Sequence, residues 1–160
     1  MLVSTSITTP LGMFRILAND QGLTAIILPG TGSSIVEEMP AYMRAPHPCL
    51  EQAARQVFEY CEGKRTAFDL CLSLKGTPFQ LQVWDIIHRI PYGRTMSYGE
   101  IARQLGSTNK ARAVGGAAHA NPLPLVIPCH RVIGSNGSLI GFAGGVGLKK
   151  RLLCLEKNPF

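Results

Sequence analysis

Asn121-Pro122-Leu123-Pro124-Leu125-Val126-Ile127-Pro128-Cys129-His130-Arg131-Val132-Ile133 sets three prolines around an apolar run and places a cysteine, a histidine and an arginine directly behind the last of them. Each proline removes a backbone donor and biases its predecessor away from helix. Leu125 to Ile127 is therefore expected as a short buried strand or extended segment, with Cys129 where it leaves the core. Such a thiol can be packing alone, since free cysteine is among the most buried residue types. Its neighbours argue for chemistry: only the thiolate is a good nucleophile, and an adjacent His or Arg lowers a thiol's pKa or takes its proton. In extended backbone adjacent side chains point to opposite faces, so His130 is expected to reach Cys129 through a water.

Upstream, Ser97-x-x-Glu100 is a capping box that opens a helix through Leu105, and Gly106 closes it. A second helix beginning at Ser107, Thr108 or Asn109 and running to about Ala120 completes a helix-turn-helix. That second helix is nearly bare, with Ala111, Ala113, Gly115, Gly116, Ala117 and Ala118, and each glycine costs about 1 kcal/mol relative to alanine. A helix that gives up stability to stay thin is approached closely, by a partner or by another helix. Helix-turn-helix logic alone points it to the major groove of DNA. Thr77-Pro78 opens an earlier helix whose apolar face holds Phe79, Val83, Trp84, Ile86, Ile87 and Ile90, with Trp84 read as core. Residues 138–147 are glycine-rich and read as a loop. The last helix starts at Val146 or Gly147 and ends at Lys157, with Leu148, Leu152, Leu153 and Leu155 inward, Lys149-Lys150-Arg151 on a solvated face and 158–160 as a tail.

In the first half, residues 2–9, 12–18 and 23–28 are rich in Val, Ile, Thr and Leu, and turn residues separate them. That is the pattern of an antiparallel meander. Pro29 to Pro48 reads as a linker. Cys49 to Gly63 carries Leu50, Ala53, Ala54, Val57, Phe58 and Cys61 at helical spacing, and Phe68 to Leu74 reads as one more strand with Cys71 on either face. This half reads as a scaffold without chemistry.

The chain of 160 residues suffices for one core, or for one core and a small appended unit. It holds no apolar run of spanning length and no visible export signal, so the expectation is a cytoplasmic protein without a membrane partner. Five cysteines, Cys49, Cys61, Cys71, Cys129 and Cys154, cannot all pair and show no zinc spacing, which suits reduced thiols. The net charge is +6, with six Lys/Arg against seven Asp/Glu before residue 77 and ten against three from there on. A basic half in a small protein is a polyanion footprint.

Pro128, Cys129, His130, Arg131 and Val132 resemble the active-site signature of the O6-alkylguanine-DNA alkyltransferases. Phe79, Val83 and Trp84, then Ser97 and Tyr98, then Ala111-Arg112-Ala113-Val114-Gly115-Gly116, then Asn121-Pro122, and finally Gly144-Gly145 with Lys149 and Glu156 follow the family's order and spacing. The resemblance runs from about Thr77 to Lys157. It implies an α/β fold: a ribonuclease-H-like unit over residues 1–74, then an α-rich helix-turn-helix, winged-helix-like domain over 75–160 that bears the cysteine. It also implies a monomer, with no cofactor, acting on double-stranded DNA that holds O6-alkylguanine. Some members carry an N-terminal zinc, but here only His47 and Cys49 lie close in sequence, and two ligands do not make a site.

What the resemblance implies residue by residue is a suicide transfer. Cys129 accepts the alkyl group irreversibly, once per molecule; His130, polarised by Glu156, takes the thiol proton through water; Tyr98 donates to the leaving base; Asn121 braces the turn. The thin helix enters the minor groove, Arg112 replaces the flipped base in the stack, and Lys110, Ala111, Gly115, Ala118 and Ser97 meet the DNA beside it. Pro124, Val132, Phe142, Ala143 and Lys149 form the base pocket. Taken singly, Tyr98 also reads as an amphipathic surface residue and Glu156 as an exposed helix-end acid. The chain departs from some members in having Phe142-Ala143 where they have tyrosine then serine, leaving the 143 amide as the donor to O6, and in having Ala118 and His119 where they have bulkier residues. Non-catalytic relatives that only bind alkylated bases lack the cysteine. A helix-turn-helix regulator with a structural or redox-sensing thiol is the reading from another class, and a thiol hydrolase would turn over, which a thioether does not.

Overall fold

A computed structural model describes residues 2–31, 47–139, 142 and 144–157. Ala143, the middle of the expected linker and the tail at 158–160 lie outside them. The first three strands, β1 (Val3–Thr9), β2 (Gly12–Asn19) and β3 (Gly22–Ile27), form the expected antiparallel meander in that order. The second turn shows why its residues are there. Asn19 Oδ1 accepts from the amides of Gln21 (2.8 Å) and Gly22 (3.1 Å), and Gly22 sits at φ +146°, where a Cβ would lie 2.5 Å from the Cys71 carbonyl oxygen. Phe14, Ile16 and Ala18 of β2 are fully buried. Helix α1 (Pro48–Cys61) packs against all three strands through a stripe that includes Leu50, Ala53 and Val57.

Phe68 to Leu74 is not a strand of the sheet. It meets β3 at one parallel bridge, in which Leu23 donates to the Cys71 carbonyl (2.9 Å) and Ser73 to the Leu23 carbonyl (2.7 Å). The buried Gln56 side chain takes both the amide and the carbonyl of Asp69, at 2.9 and 3.1 Å. Backbone groups satisfied by a side chain in this way need no ladder partner.

In the second half α2 (Pro78–His88) begins with a full capping box between Thr77 and Gln80, and its Trp84 is buried with Nε1 donating to the Ala117 carbonyl at 2.8 Å. Strand β4 (Met96–Ser97) leads straight into α3 (Tyr98–Gln104), whose cap is the Ser97–Glu100 box. Gly106, at φ +97°, makes the turn to α4 (Ala111–His119). The α-helix starts later than expected because residues 108–110 wind as a 3₁₀ turn closed by Lys110 N donating to Ser107 O. Strand β5 (Val132–Ile133) pairs parallel with β4, and α5 (Val146–Lys157) closes the described fold. Helices α3 and α4 with the Gly106 turn form the expected helix-turn-helix.

Leu125 to Ile127 is buried as expected, but turned and not extended. A buried apolar run without a sheet neighbour must find other partners for its backbone: Ile127 N donates to the Leu123 carbonyl at 2.8 Å, and Asn121 braces the turn. Its Oδ1 accepts from Leu123 N (2.9 Å) and its Nδ2 donates to Ile127 O (2.7 Å), around Leu125 at φ +75°. Ile26 N of β3 donates to Pro122 O at 2.8 Å, so this turn is tied directly to the N-terminal sheet. Buried apolar side chains from both halves form one contiguous core. Among the described residues no helix is long and apolar enough to cross a membrane.

Candidate active site

Pro128 caps a 3₁₀ turn over Cys129–Arg131, closed by Arg131 N donating to the Pro128 carbonyl at 2.9 Å. With about three residues per turn, successive side chains diverge by about 120°. Cys129, His130 and Arg131 therefore fan in three directions from one buried point, and the separation of thiol from imidazole expected of a strand arises here from a helical turn.

His130 and Arg131 converge on Glu156 near the end of α5. Arg131 donates twice, Nε to Oε1 at 2.8 Å and Nη2 to Oε2 at 2.9 Å, while its Nη1 donates to the Ile90 carbonyl at 2.6 Å. The guanidinium also lies 5.6 Å from the centre of the Tyr92 ring. His130 Nε2 lies 2.6 Å from Glu156 Oε2, Gly93 N donates to Oε1 at 3.3 Å, and the Tyr60 hydroxyl donates to Oε2. Burial alone would raise the Glu156 carboxyl, but the hydrogen bonds from His130 and Arg131 outweigh it and hold the group at about 2. An ionised Glu156 keeps the histidine proton on Nε2. His130 Nδ1, fully buried, has no hydrogen-bond partner among the described residues. Burial pushes the imidazole below its ordinary value against the pull of Glu156, so His130 rests neutral.

Cys129 is 9% exposed. Burial pushes its thiol up, opposed by a hydrogen bond from the Asn121 side chain, by the charge of Lys149 and by the amides of Cys129 and His130. Thiol and imidazole are thus both neutral at rest, and the thiolate forms when the proton moves. Tyr98, at the first position of α3, is half-buried, and its hydroxyl is raised by burial and by the nearby Cys129. Lys149 does not sit on a solvated face. It is fully buried with Nζ donating to the Val132 carbonyl at 2.6 Å, because α5 turns Leu148, Lys149, Leu152 and Glu156 inward together and leaves Lys150 and Arg151 outside. Pro124, Val132 and Phe142 are buried.

The structure thus brings Cys129, Asn121, Tyr98, Lys149, His130 and Glu156 to one place. Arg112 and Lys110 lie apart from it, exposed on the outer side of the helix-turn-helix, with Ala111 and Gly115 half-buried. Ala118 turns inward and is buried in the core, and Ser97 caps α3 with its hydroxyl. A Cβ on Gly115 would meet the Tyr98 ring at 3.8 Å, while one on Gly116 would meet nothing among the described residues within 4 Å beyond its own helix backbone. Among the described residues no three His, Cys, Asp or Glu side chains gather as a metal site.

Sequence reasoning missed Tyr60 and the grip of Arg131 on Glu156. Both left a signal. Tyr60 continues the Leu50, Ala53, Val57 stripe, and a phenol on a buried stripe needs a buried partner for its hydroxyl. An arginine one residue from a buried imidazole and two from a buried thiol is itself bound to be paired if buried.

Two family models match the chain: "6-O-methylguanine DNA methyltransferase, ribonuclease-like domain" over residues 2–74 and "6-O-methylguanine DNA methyltransferase, DNA binding domain" over residues 78–158. The methylated-DNA–protein-cysteine methyltransferase of Methanosarcina barkeri is 42% identical over 152 residues, which are 95% of each chain. The Mycobacterium tuberculosis O6-methylguanine methyltransferase structure superposes with a TM-score of 0.86 at 38% identity, covering all of this chain and 95% of the other. The same organism's OGT, solved in complex with DNA, superposes at 0.84 and 38% identity over 96% and 92% of the two chains. With a mixed α/β N-terminal unit, a helical second half and matches that span both, this chain belongs to the 6-O-methylguanine DNA methyltransferase family.

Proposed function

We propose that the protein repairs DNA by taking the alkyl group of O6-alkylguanine in a duplex onto Cys129, once per molecule, restoring guanine. The observation that carries the residue assignment is a buried thiol next in the chain to a buried imidazole whose Nε2 is engaged by Glu156 and whose Nδ1 is left to accept a proton. The thiol proton passes through a water to His130 Nδ1. The sulfur then attacks the alkyl carbon in line, the S–C bond forming as the C–O6 bond breaks. The electron pair goes to guanine, which takes a proton from the Tyr98 hydroxyl as it leaves. Lys149 favours the thiolate by its charge, and Asn121 holds the turn and the sulfur. Burial of both neutral partners means that the charge separation occurs only in the reacting complex, where the fixed groups around it need little reorganisation.

On the DNA side, α4 enters the minor groove, where its bare surface permits close approach, and Arg112 stacks in the space left by the flipped base. Lys110, Ala111 and Gly115 flank it, and the basic second half steers the polyanion. The assignment of residues 1–74 to support and 75–160 to DNA contact and transfer belongs to the same proposal. So does a monomeric protein working in the cytoplasm. The thioether product has no route back to thiol on these residues, hence one turnover.

Cys129→Ala tests the assignment. The variant is expected to bind O6-methylguanine duplex as the unchanged protein does while transferring nothing. Transfer that persisted would put the acceptor at another cysteine.

A further inference from the structure

Tyr60 reaches the site from α1, 70 residues before His130 and 96 before Glu156, and crosses from the half that reads as scaffold into the proton path. It is fully buried, its hydroxyl donates to Glu156 Oε2, and the hydroxyl oxygen itself lies 3.3 Å from His130 Nε2. A phenol has one proton. With that proton on Glu156, the lone pairs of Tyr60 face the Nε2–H of His130, and Nε2–H lies between two acceptors while Nδ1 keeps its lone pair.

We propose that Tyr60 is a positioning residue for alkyl transfer: by occupying part of the Glu156 carboxylate beside His130, its hydroxyl sets how readily Nδ1 takes and releases the Cys129 proton. This rests on the reading of Cys129 as acceptor and His130 as base. The charged and titratable groups around the hydroxyl are Glu156 from α5, His130 and Arg131 from the 3₁₀ turn and Tyr92 from the segment after α2, with Lys149 acting on His130 from α5. The Phe68 ring, 5.4 Å away by centroids, packs the apolar side.

Removing only the hydroxyl has two opposed effects. Glu156 loses a donor and pulls harder on the imidazolium, while Nε2–H loses a more distant acceptor. The bond to the ionised oxygen is the shorter and the charge-assisted one, so the first effect wins. His130 then holds a proton to higher pH and is unable to accept another from the thiol there.

Tyr60→Phe, made in the full chain, keeps the ring and is expected to move the acid limb of the transfer rate to higher pH by about half a unit to one unit. On that limb the rate falls several-fold, with duplex affinity and the final yield of alkylated protein unchanged. Replacing Tyr60 by 3-fluorotyrosine, a more acidic phenol and stronger donor, is expected to move the limb the opposite way. A residue that merely fills space would change the melting temperature of Tyr60→Phe and leave both profiles where the unchanged protein has them, and that result overturns the proposal. If Tyr60→Phe does not fold, the fluorinated protein decides alone, since it retains ring and hydroxyl. Unchanged protein that transfers nothing sinks the reading of Cys129. Unchanged protein that transfers, with a pH profile indifferent to position 60, sinks only the role of Tyr60.

Discussion

Glu156 concentrates the chemistry of the site in one side chain. It accepts from Tyr60, Gly93, His130 and, twice, Arg131, and it is 2% exposed, so its charge is both fully committed and out of water's reach. Glu156→Gln keeps the shape and removes the charge, leaving Arg131 buried without its counter-ion. Loss of one partner of such a pair costs about 3–5 kcal/mol, and chemical denaturation of the variant is expected to show it. The sign of the pH effect follows from the same group. Its folded carboxyl, at about 2, lies below the ordinary value of 4.5, so its contribution is fully present above pH 4.5 and is lost as pH falls toward 2. Denaturation curves of the unchanged protein should therefore lose stability across that window by more than those of Glu156→Gln. Parallel losses would show that another group governs the acid limb of stability.

Helix α4 shows a local sequence preference at odds with stability. Gly116 has ordinary helical backbone, is exposed, and has open space where a Cβ would go, so none of the described residues requires glycine there. Gly116→Ala is expected to raise stability by up to about 1 kcal/mol and to weaken duplex binding, measured as melting temperature and as Kd on the same duplex. Tighter or unchanged binding would remove the argument that this surface is bare for the sake of DNA. Elements of this kind were legible in the sequence because their signals are local: the hydroxyl cap and proline at Thr77-Pro78, the capping box at Ser97, the Gly106 turn, the meander's turn residues and the apolar stripe of α1. What was not legible depended on distant partners. Leu125 to Ile127 reads as a strand until the Asn121 side chain takes the Ile127 carbonyl and the Leu123 amide and closes a turn around it. Phe68 to Leu74 reads as a strand until the Gln56 side chain takes both backbone groups of Asp69, and Lys149 looks solvated until the rotation of α5 is known. The candidate site was legible in Cys129 and His130 by their own chemistry and in Glu156 only through the family resemblance. Tyr60 was hidden because a tyrosine on a helix stripe says that a partner exists without saying which.

At the scale of the whole molecule, the halves are joined by more than a linker: Ile26 binds the Pro122 carbonyl, Tyr60 binds Glu156, and one core runs through both. The charge is divided unequally, with ten Lys/Arg against three Asp/Glu from residue 77 onward. Duplex affinity is therefore expected to fall steeply with salt, with log K declining by about 0.9 per phosphate neutralised for each unit of log salt concentration. A flat response would show that the basic half does not face the DNA. The central claim is narrower, that one thiol takes one alkyl group and keeps it. Its most direct test is the intact mass of the protein after incubation with a duplex holding a single O6-methylguanine, followed by peptide mapping. The expected result is a gain of one methylene's mass, located on the peptide that contains Cys129, rising to one per molecule and stopping there. A protein that shifts the duplex on a gel and gains no mass, or gains it on Cys49, Cys61, Cys71 or Cys154, would contradict that claim.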